Sequence, residues 1–443
     1  MTVLTGWGRT APTAATVVRP TSRHGVAAAL CDSPRGVIAR GLGRSYGDSA
    51  QNGGGVVLDL TGLDTIEGVD PGAATVRCAA GVSFDSLISF LLPQGWFVPV
   101  TPGTRQVTLG GAIAADVHGK NHHRDGGIGH HVASLDLLTA DGFLRTVGPD
   151  RDPDLFWATV GGMGLTGVIV DVTLRLLRVE TSRMSVTTER ARDLDELMAR
   201  LAAGDRSSRY CVAWIDCLAR GGSTGRGVVT RGDHAPVEAL GRRDRRDPLA
   251  HRSPRTLPAP AWAPSHLLNR VTVAAFNEAW YRRAGMHGVD EVQTTGAFFH
   301  PLDGVRGWNR IYGREGMLQY QCVVPESVLR DIVIGLSDAN VPSFLAVLKR
   351  LGAADPAPLS FPRPGWTLTL DIPTGVPGLG PMLDRFDEWV VGAGGAVYLA
   401  KDSRLDPRHL SAMYPRLDEW RAVRDRVDPL GRFRSDQARR LGL

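Results

Sequence analysis

The stretch DVHGKNHHRDGGIGHH, residues 116–131, places five of the chain's twelve histidines (His118, His122, His123, His130 and His131) within fourteen positions. Imidazoles bind metals and move protons near neutral pH, so the cluster could be a metal cage or a reaction centre. His118 and His122 stand four apart, as two ligands on one helix face would. Gly119 lies between them, however, no Glu takes the base position of an HExxH motif, and Gly126, Gly127 and Gly129 break any continuous helix. The spacing argues against a metal site. His130 and His131 read as loop residues satisfying nearby backbone groups, and His118, just after the glycine turn of 108–111, reads as facing a ligand.

Lysine usage is a second chemical signal. Of 51 basic residues only Lys120, Lys349 and Lys401 are lysine, and the other 48 are arginine. A lysine amine can be shifted by its surroundings to give or take a proton, whereas guanidinium stays charged. Where arginine is the default cation, a retained lysine marks a task arginine cannot take over. Lys401 follows the apparent strand GGAVYLAK. Lys349, in FLAVLKRLG, reads as a charge partner for a phosphate or, blandly, as a solvated helix end. Gln319 and Gln321 lie two apart in MLQYQCVV and so share one strand face.

These residues need elements to hold them. GVIARGLG, VVLDL and ATVRCAAG read as strands, SFDSLISFLLPQG as a helix, HVASLDLLTADG as a strand ending in a D-G turn, and DLFWATVGGMGLTGVIVDVTLRLL as helix, glycine turn and strand. Up to about residue 180 the pattern is one α+β unit, and longer strands and helices follow to about 396. Three glycine-rich turns, 41–55, 103–111 and 161–167, each follow a strand. GLGRSYG is no dinucleotide fingerprint, because its third glycine falls one position late and a loop follows where a helix should begin. Turns of this kind suit a large phosphate-bearing cofactor approached by bare backbone.

At 443 residues, 43% hydrophobic and 22% charged, the chain has the composition of a globular protein with two or more domains. A net charge of +5 without aromatics interleaved on a basic face argues against nucleic acid. No apolar run is long enough to span a bilayer, and the N-terminus lacks a secretory pattern, which gives a cytoplasmic expectation. Five cysteines without CxxC spacing suggest reduced thiols. The arginine- and proline-rich segment at about 238–266 reads as a mobile solvated loop, or as a basic flap near an anionic ligand or membrane.

ARGLGRSYGD, PGTRQVTLGGAIAADVHGKNHH, FWATVGGMGLTGVI, GWNRIYG, LQYQ, APLSFPRPGW, YLAKDSR and AMYPRLDEW together resemble the vanillyl-alcohol-oxidase/p-cresol-methylhydroxylase-type flavoprotein oxidases, from residue 4 to the C-terminus. Within them, the match is to the branch that oxidises the 2′-hydroxyl of decaprenylphosphoryl-β-D-ribose. The product is a 2′-keto sugar, and the step is the first half of an epimerisation to the arabinose donor for actinobacterial cell-wall arabinan. The resemblance implies a two-domain α+β fold: an FAD-binding domain from 4–180 and 397–443, and an inserted antiparallel-sheet substrate domain from 181–396.

By resemblance, FAD would be lined by Ala39, Arg40, Gly41, Leu42, Gly43, Arg44, Ser45, Tyr46, Gly47, Asp48 and Ser49, then by Gly103, Thr108, Leu109, Gly110 and Gly111. His118, Gly119, Lys120, Asn121, Ile169 and Tyr398 complete that set. The first glycine turn has no histidine, so the FAD is expected to be non-covalent. Lys401 is expected as base or hydroxyl-positioning residue, with His118 the second candidate. The sugar pocket would be formed by Tyr46, Lys120, Trp214, Tyr312, Gln319, Gln321, Lys349, Trp366, Thr367, Thr369 and Lys401. Thr369 stands where close relatives carry cysteine. Also implied are a separate NAD(P)H-dependent keto-reductase partner, peripheral membrane contact and, as an alternative location, the periplasmic side. An aldonolactone or alditol oxidase acting on a soluble polyol is the competing enzyme reading. A flavin-free scaffold would be a different class.

Overall fold

The structure is a computed structural model of the chain, describing all residues except 31–32, 253–255, 261–262, 265–266 and 286–288. Cys31 and parts of the arginine- and proline-rich loop therefore lie outside the described residues.

Two sheets form the first part of the chain. β1 (Thr2–Leu4), β2 (Thr13–Val18), β3 (Val37–Arg40) and β4 (Val56–Asp59) form one in the order β1-β2-β4-β3, with β2 and β3 parallel to β4. Consecutive Val37 and Ile38 are both buried, as a strand covered on two faces requires. β5 (Ile66–Asp70), β6 (Thr75–Ala79), β7 (Val132–Leu138), β8 (Leu144–Val147) and β9 (Val168–Arg175) form an antiparallel sheet ordered β5-β6-β9-β7-β8. Helix α1 (Phe84–Leu91) starts where the Ser83 side chain accepts from the Ser86 amide, and it buries Phe84, Leu87, Ile88 and Leu91 at helical spacing. The short helix α2 (Leu109–Ala114) is capped by Thr108, which accepts from Gly111 N.

A third sheet is antiparallel throughout and has eight strands. These are β10 (Arg183–Ala191), β11 (Tyr210–Ile215), β12 (Gly227–His234), β13 (Val289–Thr294), β14 (Met317–Val324), β15 (Ala346–Leu351), β16 (Gly365–Pro373) and β17 (Ala396–Val397), in the order β13-β10-β12-β11-β15-β16-β14-β17. Helices α3 (Leu194–Ser207), α4 (Arg270–Arg283), α5 (Glu326–Asp338) and α6 (Leu379–Gly392) accompany it. Alternation divides its residues between two faces. Cys211 and Tyr320 point toward α3 and α6, where Cys211 Sγ approaches the Leu201 carbonyl and the Tyr320 ring lies 6.3 Å from Phe386. Their neighbours Val212, Trp214, Gln319 and Gln321 point to the opposite face. FLAVLKRLG is strand, not helix end: it forms β15, and Lys349 lies on that same face.

The strand expected through GGAVYLAK stops at Val397, and Tyr398 to Lys401 form a turn in which Lys401 N donates to Tyr398 O at 2.9 Å. The chain then returns to the first sheet. Val37 bridges Phe433 in parallel, and the last helix, α7 (Asp436–Leu441), packs beside the 41–53 turn through Gly53 N to Asp436.

Candidate active site

A cavity of about 980 Å³ lies between the loops of the first two sheets and the Gln321 face of the third. The turn from Gly41 to Ala50 lines one wall, the 101–120 loop a second, and the sheet face from Gln319 and Gln321 outward the third. All three lysines line it.

His118 is buried, and its Nε2 sits 2.9 Å from Gln321 Nε2, which also donates to Thr367 Oγ1 at 3.2 Å. The Gln321 amide nitrogen donates, so the imidazole accepts at Nε2. Burial and the nearby lysines hold His118 far below its ordinary pKa, and the ring is neutral. It packs on Phe361 and Tyr398, with centroids 5.3 and 5.1 Å away. His122 is turned at 89° to it and accepts from Gly352 N through Nδ1, so the two rings serve different partners. His130 pairs with Asp355 at 2.6 Å and His131 with the Asp125 carbonyl at 2.9 Å. Ser360 ties Asp116 at the start of the stretch to the segment carrying Asp355. The histidine stretch is a wall clamped between two parts of the molecule.

The lysines differ in their surroundings. Lys120 lies 4.3 Å over the Phe298 ring and donates to the Phe298 carbonyl; burial and Lys349 push it down to about 7. Burial pushes Lys349 to about 8, and its Nζ reaches the Gly119 carbonyl at 3.4 Å. Lys401 sits 4.2 Å over the Tyr46 ring; burial lowers its pKa, Lys349 adds to this and Asp371 opposes it. Asp371 is fully buried on β16, opposite Gln319, whose amide donates to Oδ1, while Oδ2 has no partner. Burial raises its pKa. Asp371 was not anticipated, although GWTLTLD alternates Thr367, Thr369 and Asp371 on one face.

Residues 14–148 match a family model described as an FAD binding domain, and residues 368–441 one described as D-arabinono-1,4-lactone oxidase. A decaprenylphosphoryl-β-D-ribose oxidase from Mycolicibacterium smegmatis is 44% identical across 99% of this chain and 97% of its own length. The chain belongs to this oxidase family. A Streptomyces coelicolor protein encoded in the mprA 5′ region, uncharacterised, is 44% identical over 82% of this chain and 100% of its own. An alditol oxidase from a Streptomyces species is 30% identical over 40% of this chain and 42% of its own. The α+β fold is thus the two-domain vanillyl-alcohol-oxidase type, and the oxidase is an FAD-dependent oxidoreductase.

The first two walls fit FAD. A Cβ on Gly41 would stand 2.1 Å from Thr108 Oγ1, and Gly43 adopts φ +63°, so turn and loop meet with little side chain between them. A Cβ on Gly103 would meet nothing within 4 Å, and Ala39, Ala112 and Ala115 keep the same walls bare. Leu42, Arg44, Ser45, Tyr46, Ser49, Thr108, Gly111, His118, Gly119, Lys120 and Tyr398 also line the oxidase's cavity.

Several expected residues stand behind the walls instead. The Arg40 guanidinium donates to the Thr5 and Ala50 carbonyls, bracing the turn from outside. Gly47 is pressed on the Asp402 carbonyl and Asp48 pairs with Arg440. Leu109 is core, Gly110 abuts Ala80, and Ile169 is buried within β9. Asn121 donates to the Pro99 carbonyl at 2.9 Å. In the sugar pocket, Trp214, Gln319, Gln321, Thr369, Lys349 and Lys401 line the cavity, but Tyr312, Trp366 and Thr367 do not. Tyr312 packs between Trp308 and Phe344, and Thr367 lies beneath Gln321. Trp366 points to the other face by strand alternation, with Arg350 over its ring at 5.7 Å.

Proposed function

We propose that the chain oxidises the 2′-hydroxyl of decaprenylphosphoryl-β-D-ribose to the 2′-keto sugar, and that a separate NAD(P)H-dependent reductase completes the epimerisation. The observation that carries this reading is the pairing of Lys120 and Lys349 beside the Gln321–Thr369 pocket: a sugar there has an anion site within reach. The full-length likeness to an oxidase so named supports it.

FAD would be held non-covalently along the first two walls, by the turn from Gly41 to Ala50 and the 101–120 loop, and would supply the acceptor for a hydride from the 2′ carbon. Gln321, fixed by His118 and Thr367, presents its amide to the sugar. Lys401 takes the hydroxyl proton; the burial that lowers its pKa makes the neutral amine accessible near neutral pH. His118 is already an acceptor for Gln321, so it positions and does not take the proton.

No helix among the described residues is long and apolar enough to cross a membrane, so access to a lipid substrate would be by peripheral contact. The second reading, oxidation of a soluble polyol, is favoured by the alditol oxidase likeness and the D-arabinono-1,4-lactone oxidase match at residues 368–441. Anaerobic titration decides between them. Loss of the flavin absorption band with a prenylphosphoryl ribose supports the first reading; loss only with xylitol or an aldonolactone replaces it with the second.

A further inference from the structure

We propose that the outer half of the cavity is a channel for the isoprenoid chain of the substrate, running across the Gln321 face of the sheet from Lys349 to the rim under α4. This rests on the phosphoryl sugar being held by Lys120 and Lys349.

The strand ladders lay out the channel floor. Gln321 faces Thr369, Thr369 faces Val347, Val347 faces Trp214 and Trp214 faces Val228. In the adjacent row Val212 faces Thr230, and Thr230 faces Thr188. From β14 to β10 there are five strand steps, about 24 Å at ~4.8 Å per step. A pentose and one phosphate occupy only the inner part of such a length. The chemistry changes in step with distance: amide and hydroxyl at Gln321 and Thr369, cations at Lys120 and Lys349, then uncharged Val212, Val228, Thr230 and Thr188. Arg190, which follows Val228 in this row, does not line the cavity and lies 5.2 Å over the Tyr281 ring of α4, so the lining floor beyond the anion site is uncharged and suits a hydrocarbon.

The rim continues the trend outward. Trp280 of α4 lines the opening and is 41% exposed, stacked at 13° on Phe276, which is 43% exposed. Val305 also lines it and is 42% exposed, and its strand partner Leu257 is 72% exposed. Arg283, Arg306 and Glu291 line the cavity at this edge. An apolar strip leading out of a cavity and ringed by polar groups marks a binding surface, and here it is continuous with the sugar site.

The test compares methyl-, geranyl- and farnesyl-phosphoryl ribose as substrates of the FAD-loaded protein. KM is expected to fall roughly a hundredfold from methyl to farnesyl as apolar surface enters the channel. Thr230→Trp, which fills the floor, should lower the farnesyl-to-methyl ratio of kcat/KM at least about tenfold. Trp280→Ala, at the exposed rim, should lower it by a smaller factor and gives a readout should Thr230→Trp fail to fold. A KM independent of chain length, or an unchanged ratio in both variants, overturns the channel while leaving the sugar oxidation standing. Failure of every phosphoryl ribose to bleach the flavin of the wild-type protein would instead remove the proposed function itself.

Discussion

Lys401 is the lysine beside a buried acid, and this sets its use. Replacing it with methionine should lower kcat by roughly 10³, with the flavin absorption of the purified protein unchanged. Its pKa lies below the ordinary lysine value, and in the proposed role the neutral amine is the active form, so kcat/KM should rise as pH climbs through that lowered value. Asp371 raises the Lys401 pKa. In Asp371→Asn the carboxylate charge is gone while Gln319 keeps a partner, and the rising limb should move to lower pH. An unmoved limb would reduce Asp371 to a structural residue. Rarity made the lysines visible in the sequence. Asp371 was equally accessible, since it continues the Thr367 and Thr369 alternation, but an acid in a strand ending DIP looks like an ordinary turn-side residue. Trp366 and Thr367 were both assigned to the pocket although neighbours on a strand point to opposite faces. Pairing with β14 decides between them, and it leaves Thr367 below Gln321.

At the level of elements, the Gly41–Ser49 turn gathers the most constraint. Tyr46 N donates to the Ala400 carbonyl, Trp7 N to the Ser45 carbonyl, and a Cβ on Gly47 would sit 1.9 Å from the Asp402 carbonyl. Gly47→Ala pushes backbone against backbone and should separate the turn from the segment that carries Lys401. The expected cost is about 1–3 kcal/mol of stability, with much of the FAD lost on gel filtration, checked by absorbance per mole of protein. The glycine turns, the helix Phe84–Leu91 and the alternating strands were legible because each depends on local sequence: a conformation, a spacing, a cap. The order of the eight-stranded sheet was not, because β14 lies between β16 and β17 and is separated from its partners by helices. For the same reason Lys349 could be read as a helix end. Pairing with β16 and β11 identifies FLAVLKRLG as a strand.

Over the whole molecule, the late segments close the early ones. Arg440 bridges Asp48 of the cofactor turn and Asp402, both at 2.8 Å, and the Asp402 side chain is only 1% exposed. Arg440→Ala leaves that carboxylate buried without its cation, and roughly 3 kcal/mol of stability should be lost. The urea midpoint measured with excess FAD reads this directly, and a shift too small to resolve would show that the triad contributes little. The histidine stretch belongs to the same pattern. Its Asp116 and His130 hold Ser360 and Asp355, far along the chain, which a local reading of the loop could not foresee.

The parallel bridge between Val37 and Phe433 also bears on how the protein is made. A strand laid down early waits for a partner nearly four hundred positions later, and the inserted sheet has to be completed in between. Until the ribosome has passed Lys401 and Phe433, the emerging polypeptide has neither the proposed proton acceptor nor the closing edge of the flavin lobe. A half-translated chain is therefore expected to hold flavin poorly and to lack oxidase activity.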